Sequence, residues 1–168
     1  MEKNATAYLG LGSNLGDRLA MLQGARQSLQ RNPAVTVSAS SPLYETAPVG
    51  GPADQPPYLN AVLQIETILL PERLLQLCQQ IEQEFGRQRQ VEHGPRTLDI
   101  DILFYNSIIQ VEPDPILPHP RLHERPFVLY PLVDLVPEII HPFLGKTASE
   151  LLLNLDATEG VQRVAEMW

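Results

Sequence analysis

Two aspartates set one residue apart in an apolar run, Asp99 and Asp101 of the stretch HGPRTLDIDILF (93–104), carry the strongest chemical signal in the sequence. A strand repeats every two residues, so both carboxylates project from one face with roughly 7 Å between their Cα atoms. Leu98, Ile100, Ile102 and Phe104 take the opposite face, which reads as the core side. Two rigid carboxylates are too few ligands for a closed calcium cage. They suit magnesium, which keeps waters and completes its octahedron on phosphate oxygens. Arg87, Arg89 and Arg96 precede the pair and Arg121 and Arg125 follow it, half of all the arginines in a chain of net charge -8. Guanidinium groups grip phosphate oxygens in a bidentate fork. Acids for a metal beside arginines for phosphates predict phosphoryl-type transfer. The plainer alternative is a solvated acidic strand face with surface ion pairs to Glu92, Asp114 and Glu124, each worth little.

The elements that must hold these groups follow from periodicity. Residues 5 to 11 read as a strand. Leu15, Leu19, Leu22 and Leu29 then recur at helical spacing from an Asn14 cap to about Arg31. Residues 34 to 41 form a second strand, and the Gly, Pro and Ala content from Thr46 to Pro57 predicts a long surface loop. Residues 58 to 67 alternate as a strand, with Tyr58 and Asn60 on one face and Leu59, Ala61, Leu63 and Ile65 on the other. Pro71 opens a helix that carries Leu74, Leu77, Cys78, Ile81 and Phe85 on one side, and Gly86 can end it. The acid-bearing strand follows, after a polar second loop between Gly86 and Gly94. A short helix near Arg125–Leu135 and another opening on the capping box Thr147 to Glu150 complete the chain, whose last 25 residues leave room only for that helix and a tail. Strand, helix, strand, strand, helix, strand is the order of an α+β, ferredoxin-like sandwich, one mainly antiparallel sheet with helices packed on it and long substrate loops.

Composition sets the class. At 168 residues and 43% hydrophobic content the chain fits one compact soluble domain, residues 1–168. The N-terminus lacks the apolar segment of a signal peptide, and no run approaches the ~20 residues that span a bilayer, so a cytoplasmic protein without a membrane partner is expected. The single cysteine, Cys78, excludes an intrachain disulfide and reads as a core thiol. A pI of about 4.9 argues against general nucleic-acid binding, which needs a basic face.

Four blocks in order, AYLGLGSNLGDR, YETAPVGGPADQPPYLNAV, GPRTLDIDILF and LPHPRLHERPFVLYPL, resemble the 6-hydroxymethyl-7,8-dihydropterin pyrophosphokinase family of folate biosynthesis over about residues 5 to 142. The resemblance implies an elaborated ferredoxin-like sheet and transfer of pyrophosphate from ATP to the pterin hydroxymethyl group, with release of AMP. It implies ATP as co-substrate, two Mg2+ on Asp99 and Asp101, and small-molecule partners only, in a monomer. Arg87 and Arg96 then contact the triphosphate most directly, assisted by Arg89 and Arg125, with a hydrogen bond from His119, while Glu82 and Ile102 lie near the nucleotide. Pterin recognition falls to Asn60, to Tyr58 and Phe127 as stacking faces, and to main-chain groups around Thr46, Ala47 and Val49.

The residue chemistry agrees with that assignment. Asn60 offers a donor and an acceptor to a pyrimidinone edge, and aromatic rings stack on heterocycles. Plainer readings stand beside these: Tyr58 and Phe127 as core aromatics, Asn60 as a strand-edge amide, Glu82 as an exposed helical glutamate and His119 as a turn histidine between prolines. Gly10-Leu11-Gly12-Ser13-Asn14 matches neither dinucleotide nor P-loop fingerprints, so its glycines read as permitting a close turn while Asn14 buttresses the site. No residue stands out as a general base, which phosphoryl-type transfer tolerates because positioning and electrostatics dominate it. The two long loops are read as lids that close over substrates. Gln90, His93 and Pro120 stand where many members carry Lys, Trp and Tyr. Two other functions use the same features: a non-catalytic ferredoxin-like ligand-binding module, and a magnesium-dependent phosphohydrolase with water as the attacking group.

Overall fold

A central strand free of charged side chains, β1 (Ala5–Ser13), lies antiparallel between β4 (Tyr58–Thr67) and the acid-bearing β5 (Asp99–Tyr105). The computed structural model describes residues 4–47, 56–86, 97–155 and 160–168. Sheet order is β5-β1-β4-β3-β6, with β3 at Leu43–Thr46 and β6 at Val161–Ala165; β2 (Val35–Ser40) also pairs with β4. Helices α1 (Arg18–Arg31) and α2 (Pro71–Glu84) cover one face through Leu22, Ala25, Leu29, Leu74, Cys78 and Ile81. Helices α3 (Pro126–Leu135) and α4 (Ala148–Leu153) bring Val128, Leu129, Leu132, Ala148 and Leu151 to a second core containing Tyr8, Val62, Leu103 and Phe104. The sheet is thus buried on both faces. This is the expected α+β ferredoxin-like arrangement, elaborated by α3, α4 and β6.

The second strand of the simple pattern is split in two. β2 pairs with the far half of β4 (Val35↔Thr67) and β3 with the near half (Tyr44↔Asn60, Thr46↔Tyr58). Pro42, which has no N–H for a ladder, falls in the break. Ser41 beside it stays attached, its backbone N–H on Val62 O at 2.9 Å and its Oγ accepting from Val62 N at 2.8 Å. Thr46 therefore ends a strand instead of opening a loop.

Four further expectations are corrected. The N-cap of α1 is Asp17, whose carboxylate accepts from Ala20 N at 3.1 Å, and not Asn14, whose side chain donates to Pro56 O at 3.1 Å. Leu15 and Leu19 consequently sit outside the buried stripe and are exposed. Phe104 does not share a face with Leu98, Ile100 and Ile102. Tyr8 pairs with Phe104 and Leu9 with Ile102, so Leu103 is an unpaired bulge residue; a bulge inserts one residue and reverses the alternation beyond it. Ile102 stays in the first core while Leu103 and Phe104 enter the second. Finally, the tail forms β6, which pairs with β3 (Tyr44↔Arg163, Thr46↔Val161).

The α2 and α4 boundaries follow the sequence closely. Pro71 occupies the first turn of α2, and Gly86, just past its end, has φ of +79°, a conformation glycine adopts without a Cβ penalty. Both halves of the Thr147–Glu150 capping box are formed. Cys78 is fully buried, and burial pushes its thiol pKa far up, so it behaves as a hydrophobe. Among the described residues, no helix is long and apolar enough to cross a membrane.

Candidate active site

β1 alternates leucine and glycine, with Leu9 and Leu11 in the first core and Gly10 and Gly12 on the opposite face. The register places Gly10 opposite Asp101 and Gly12 opposite Asp99 on one side, and Gly12 opposite Asn60 on the other. Two successive outward positions of the central strand therefore carry no side chain, and the acids face Asn60 across bare peptide. A cleft of about 410 Å3 opens over this floor, the size range of small-molecule sites. Asp99 and Asp101 of β5 line it on one side of β1 and Tyr58 and Asn60 of β4 on the other, with Thr46, Ala47, His119, Arg121, Arg125 and Phe127 completing the lining. Glycine was read from the sequence as permitting a turn; its period-two alternation with leucine was the available signal for a strand floor.

In the acidic half, Asp99 and Asp101 share the cleft face as the strand period requires. Asp101 is 33% exposed at its side chain and lies 3.9 Å from the Arg125 guanidinium. Arg125 stands at the N-cap of α3, its Cζ 5.5 Å from the centroid of the Phe127 ring. Among the described residues, no three His, Cys, Asp or Glu side chains converge into a metal cage. Two carboxylates opening onto a cleft fit a magnesium ion that completes its shell with water and substrate oxygens.

The bulge positions His119. Its backbone N–H donates to the carbonyl of Leu103, the bulge residue, at 2.9 Å, and its Nδ1 accepts from Arg121 N at 3.2 Å. Burial, with Arg125 and then Arg121 nearby, pulls its pKa down to about 4, the Asp99 charge opposing them. At neutral pH the ring is uncharged, and an accepting Nδ1 fixes the proton on Nε2 as a donor.

In the polar half, Asn60 is buried and its Nδ2 donates to Thr46 Oγ1 at 2.7 Å. A Cβ on Gly12 would come within 3.0 Å of Asn60 Oδ1 and 3.6 Å of the Tyr58 ring, so the amide is seated closely against the glycine floor. Leu59, Ala61, Leu63 and Ile65 all point into the first core, as the alternation predicted. Arg18 reaches across to Pro57 O at 3.0 Å and Glu45 Oε2 at 3.0 Å, and Asn14 to Pro56 O, so the start of β4 is tied from two positions around the α1 entry.

Two predicted residues lie behind the cleft. Glu82 is 3% exposed, not a surface glutamate, and its Oε2 accepts from Ile100 N at 3.0 Å, the peptide between the two aspartates. Its partner is a backbone group on another element, which residue type alone does not reveal. Ile102 is a buried member of the first core. Val49, Arg87, Arg89 and Arg96, together with the substituted positions Gln90 and His93 and most of both expected lids, lie outside the described residues.

The chain is similar to known proteins in sequence and in fold. Residues 8–137 match the family described as 7,8-dihydro-6-hydroxymethylpterin-pyrophosphokinase (HPPK). A 2-amino-4-hydroxy-6-hydroxymethyldihydropteridine pyrophosphokinase of Methylorubrum extorquens is 44% identical over 94% of this chain and 98% of its own length. Folic acid synthesis protein fol1 of Schizosaccharomyces pombe is 43% identical over 89% of this chain, which spans only 20% of that longer protein. In fold, the chain resembles the Plasmodium falciparum HPPK-DHPS crystal structure with a TM-score of 0.74 at 16% identity, covering 96% of this chain and 47% of that one.

Proposed function

The chain belongs to the 7,8-dihydro-6-hydroxymethylpterin-pyrophosphokinase family and transfers pyrophosphate from ATP to 6-hydroxymethyl-7,8-dihydropterin in folate biosynthesis, and we propose that the two halves of this cleft divide that work. The observation that carries the reading is the bare Gly10–Gly12 floor, with paired carboxylates on one side and a buried amide on the other. The pterin sits over the Asn60 half, its pyrimidinone edge on the amide and on main-chain groups around Thr46, Ala47 and Val49, its ring between Tyr58 and Phe127. The triphosphate lies over the Asp99–Asp101 half. Arg125 and the Nε2–H of His119 bind its oxygens, joined by Arg87, Arg89 and Arg96. Glu82 holds the peptide that spaces the acids, and the Ile102 segment flanks the nucleotide.

Asp99 and Asp101 would hold two Mg2+ ions, which supply charge neutralisation on the phosphates. The residues do the rest by orientation. Asn60 and the aromatic faces aim the pterin hydroxymethyl oxygen at the β-phosphorus, in line with the bridging oxygen that departs with AMP. The arginines and neutral His119 meet charge that builds on the phosphate oxygens, an electrostatic contribution that preorganised donors make in a cleft closed to water. The protein works as a cytoplasmic monomer.

The test is AMP formation from ATP and Mg2+, with and without 6-hydroxymethyl-7,8-dihydropterin. AMP is expected only when both the pterin and Mg2+ are present. Asp101→Ala and Asp99→Ala are each expected to lower turnover by about 10³-fold or more while the far-UV circular dichroism stays native. AMP made without pterin would instead mark a phosphohydrolase, and binding of both substrates without AMP would mark a ligand-binding module.

A further inference from the structure

β6 contributes no side chain to the cleft, yet it is joined to both walls of the pterin half. In the sheet, Tyr44 of β3 stands between Asn60 on β4 and Arg163 on β6. Tyr44 is buried, and its hydroxyl donates to Asp134 on α3. Arg163 completes the triangle. Its Nη2 lies 2.7 Å from Asp134 Oδ1, and its Nε and Nη2 each lie 3.3 Å from the Tyr44 hydroxyl oxygen. The Tyr44 ring also packs 5.8 Å from Tyr130, one turn before Asp134. At the start of β6, Gly160 O accepts from Ala47 N at 3.1 Å, fixing the last described residue of the β3 wall.

Each of these ties runs to a group that faces the pterin. Thr46 is two residues beyond Tyr44 on the same strand face and accepts the Asn60 amide. Phe127 is seven residues before Asp134, two helical turns, which puts both on the same side of α3 about 10.5 Å apart. Holding Asp134 against Tyr44 therefore helps set the tilt with which α3 presents Phe127 to the cleft that Asn60 also lines. The acid pair on β5 lies on the other side of β1 and meets α3 through the long Arg125 side chain at its N-cap, not through Asp134 or Tyr44. We infer that Arg163 is a positioning residue for the pterin half of the site, locking α3 to β3 through Asp134 and the Tyr44 hydroxyl.

This inference rests on the pyrophosphokinase reading above, so the wild type is measured first. Pterin-dependent AMP formation must be present in it; without that, the functional reading fails and takes this inference with it. Arg163 is 45% exposed at its side chain, so its replacement leaves the fold in place. The experiment compares KM for 6-hydroxymethyl-7,8-dihydropterin and for ATP in Arg163→Met, Arg163→Lys, Tyr44→Phe and the Arg163→Met/Tyr44→Phe double variant, with melting temperatures alongside. Arg163→Met is expected to raise the pterin KM about five- to tenfold while moving the ATP KM less than about twofold. Arg163→Lys should recover part of the loss, and Tyr44→Phe should add less than about twofold in the Arg163→Met background, because the two residues act through one network. A lowered melting temperature with an unchanged pterin KM would reduce Arg163 to a structural brace and overturn the inference. So would equal rises in both KM values.

Discussion

A single methyl group added at position 12 is the smallest perturbation that separates the two halves of the cleft. The new Cβ would stand 3.0 Å from Asn60 Oδ1, closer than the amide can accept without shifting. Gly12→Ala is expected to raise the pterin KM by about tenfold, with the ATP KM little changed and the melting temperature within about 5 °C of wild type. Steady-state kinetics with each substrate varied in turn checks this, and equal effects on both substrates would count against the division of the floor. The aspartates and Asn60 were legible in the sequence because a half-buried strand has a period of two, and each lies on a run whose alternate residues are plainly apolar. Glu82 and the glycine floor were not legible. A carboxylate that accepts from a backbone N–H leaves no mark on its own neighbours, and a missing side chain gains meaning only when the strands on either side are known.

At the scale of elements, single side chains decide how β5 is held and how the turn after α3 is closed. Glu82 connects α2 to the peptide between the two aspartates. Glu82→Ala is expected to cost about 2 kcal/mol in urea unfolding and to raise the Mg2+ concentration needed for half-maximal turnover. Glu82→Gln, which keeps an acceptor oxygen, should recover most of the stability. His141 organises the turn between α3 and α4, its Nδ1 accepting from Phe143 N at 3.2 Å and Leu144 N at 3.1 Å. Burial, and then the nearby His123, hold its pKa below the ordinary 6.5. The unfolded chain therefore takes up a proton at a pH where the folded one does not, so stability is present above about pH 6.5 and falls as the pH drops toward the folded value. His141→Asn keeps an acceptor near the Nδ1 position without titrating. It is expected to flatten the pH dependence of unfolding free energy below 6.5 by up to about 1.4 kcal/mol per pH unit. Capping also shows the limit of local signals. Asn14 and Asp17 are both good caps three residues apart, and the choice between them was made by Pro56, a tertiary partner.

Over the whole molecule, β6 was the element least visible beforehand. It is mostly exposed, and Gln162 and Arg163 fall between its valines without a regular alternation, because an edge strand paired on one side and facing solvent needs no apolar face. The ferredoxin-like core, by contrast, followed from the order of its periodic segments, while the split of one strand at Pro42, the bulge at Leu103 and the exact start of α1 escaped. The segment after residue 160 is also tied to the far side of the sheet. Trp168, the chain's single tryptophan, donates its indole N–H to Ser41 O at 2.7 Å, with the Arg26 guanidinium carbon 4.2 Å from its ring centroid. Its fluorescence thus reports the C-terminal segment by itself. The urea curves from tryptophan fluorescence and far-UV circular dichroism are expected to superimpose, since β6 is bonded into the sheet; an earlier fluorescence transition would show that this segment detaches first. The unpaired Leu103 acts on the sheet as a frameshift acts on a message. Before it, odd-numbered residues of β5 face the cleft; after it, the assignment is reversed, and the same strand serves two cores and an active site in seven residues. A side chain exchanged along β5 leaves the facing of its neighbours unchanged, but a residue gained or lost between Asp99 and Leu103 would turn a carboxylate into hydrocarbon or an isoleucine into the cleft. The length of this strand is under a stricter constraint than its spelling.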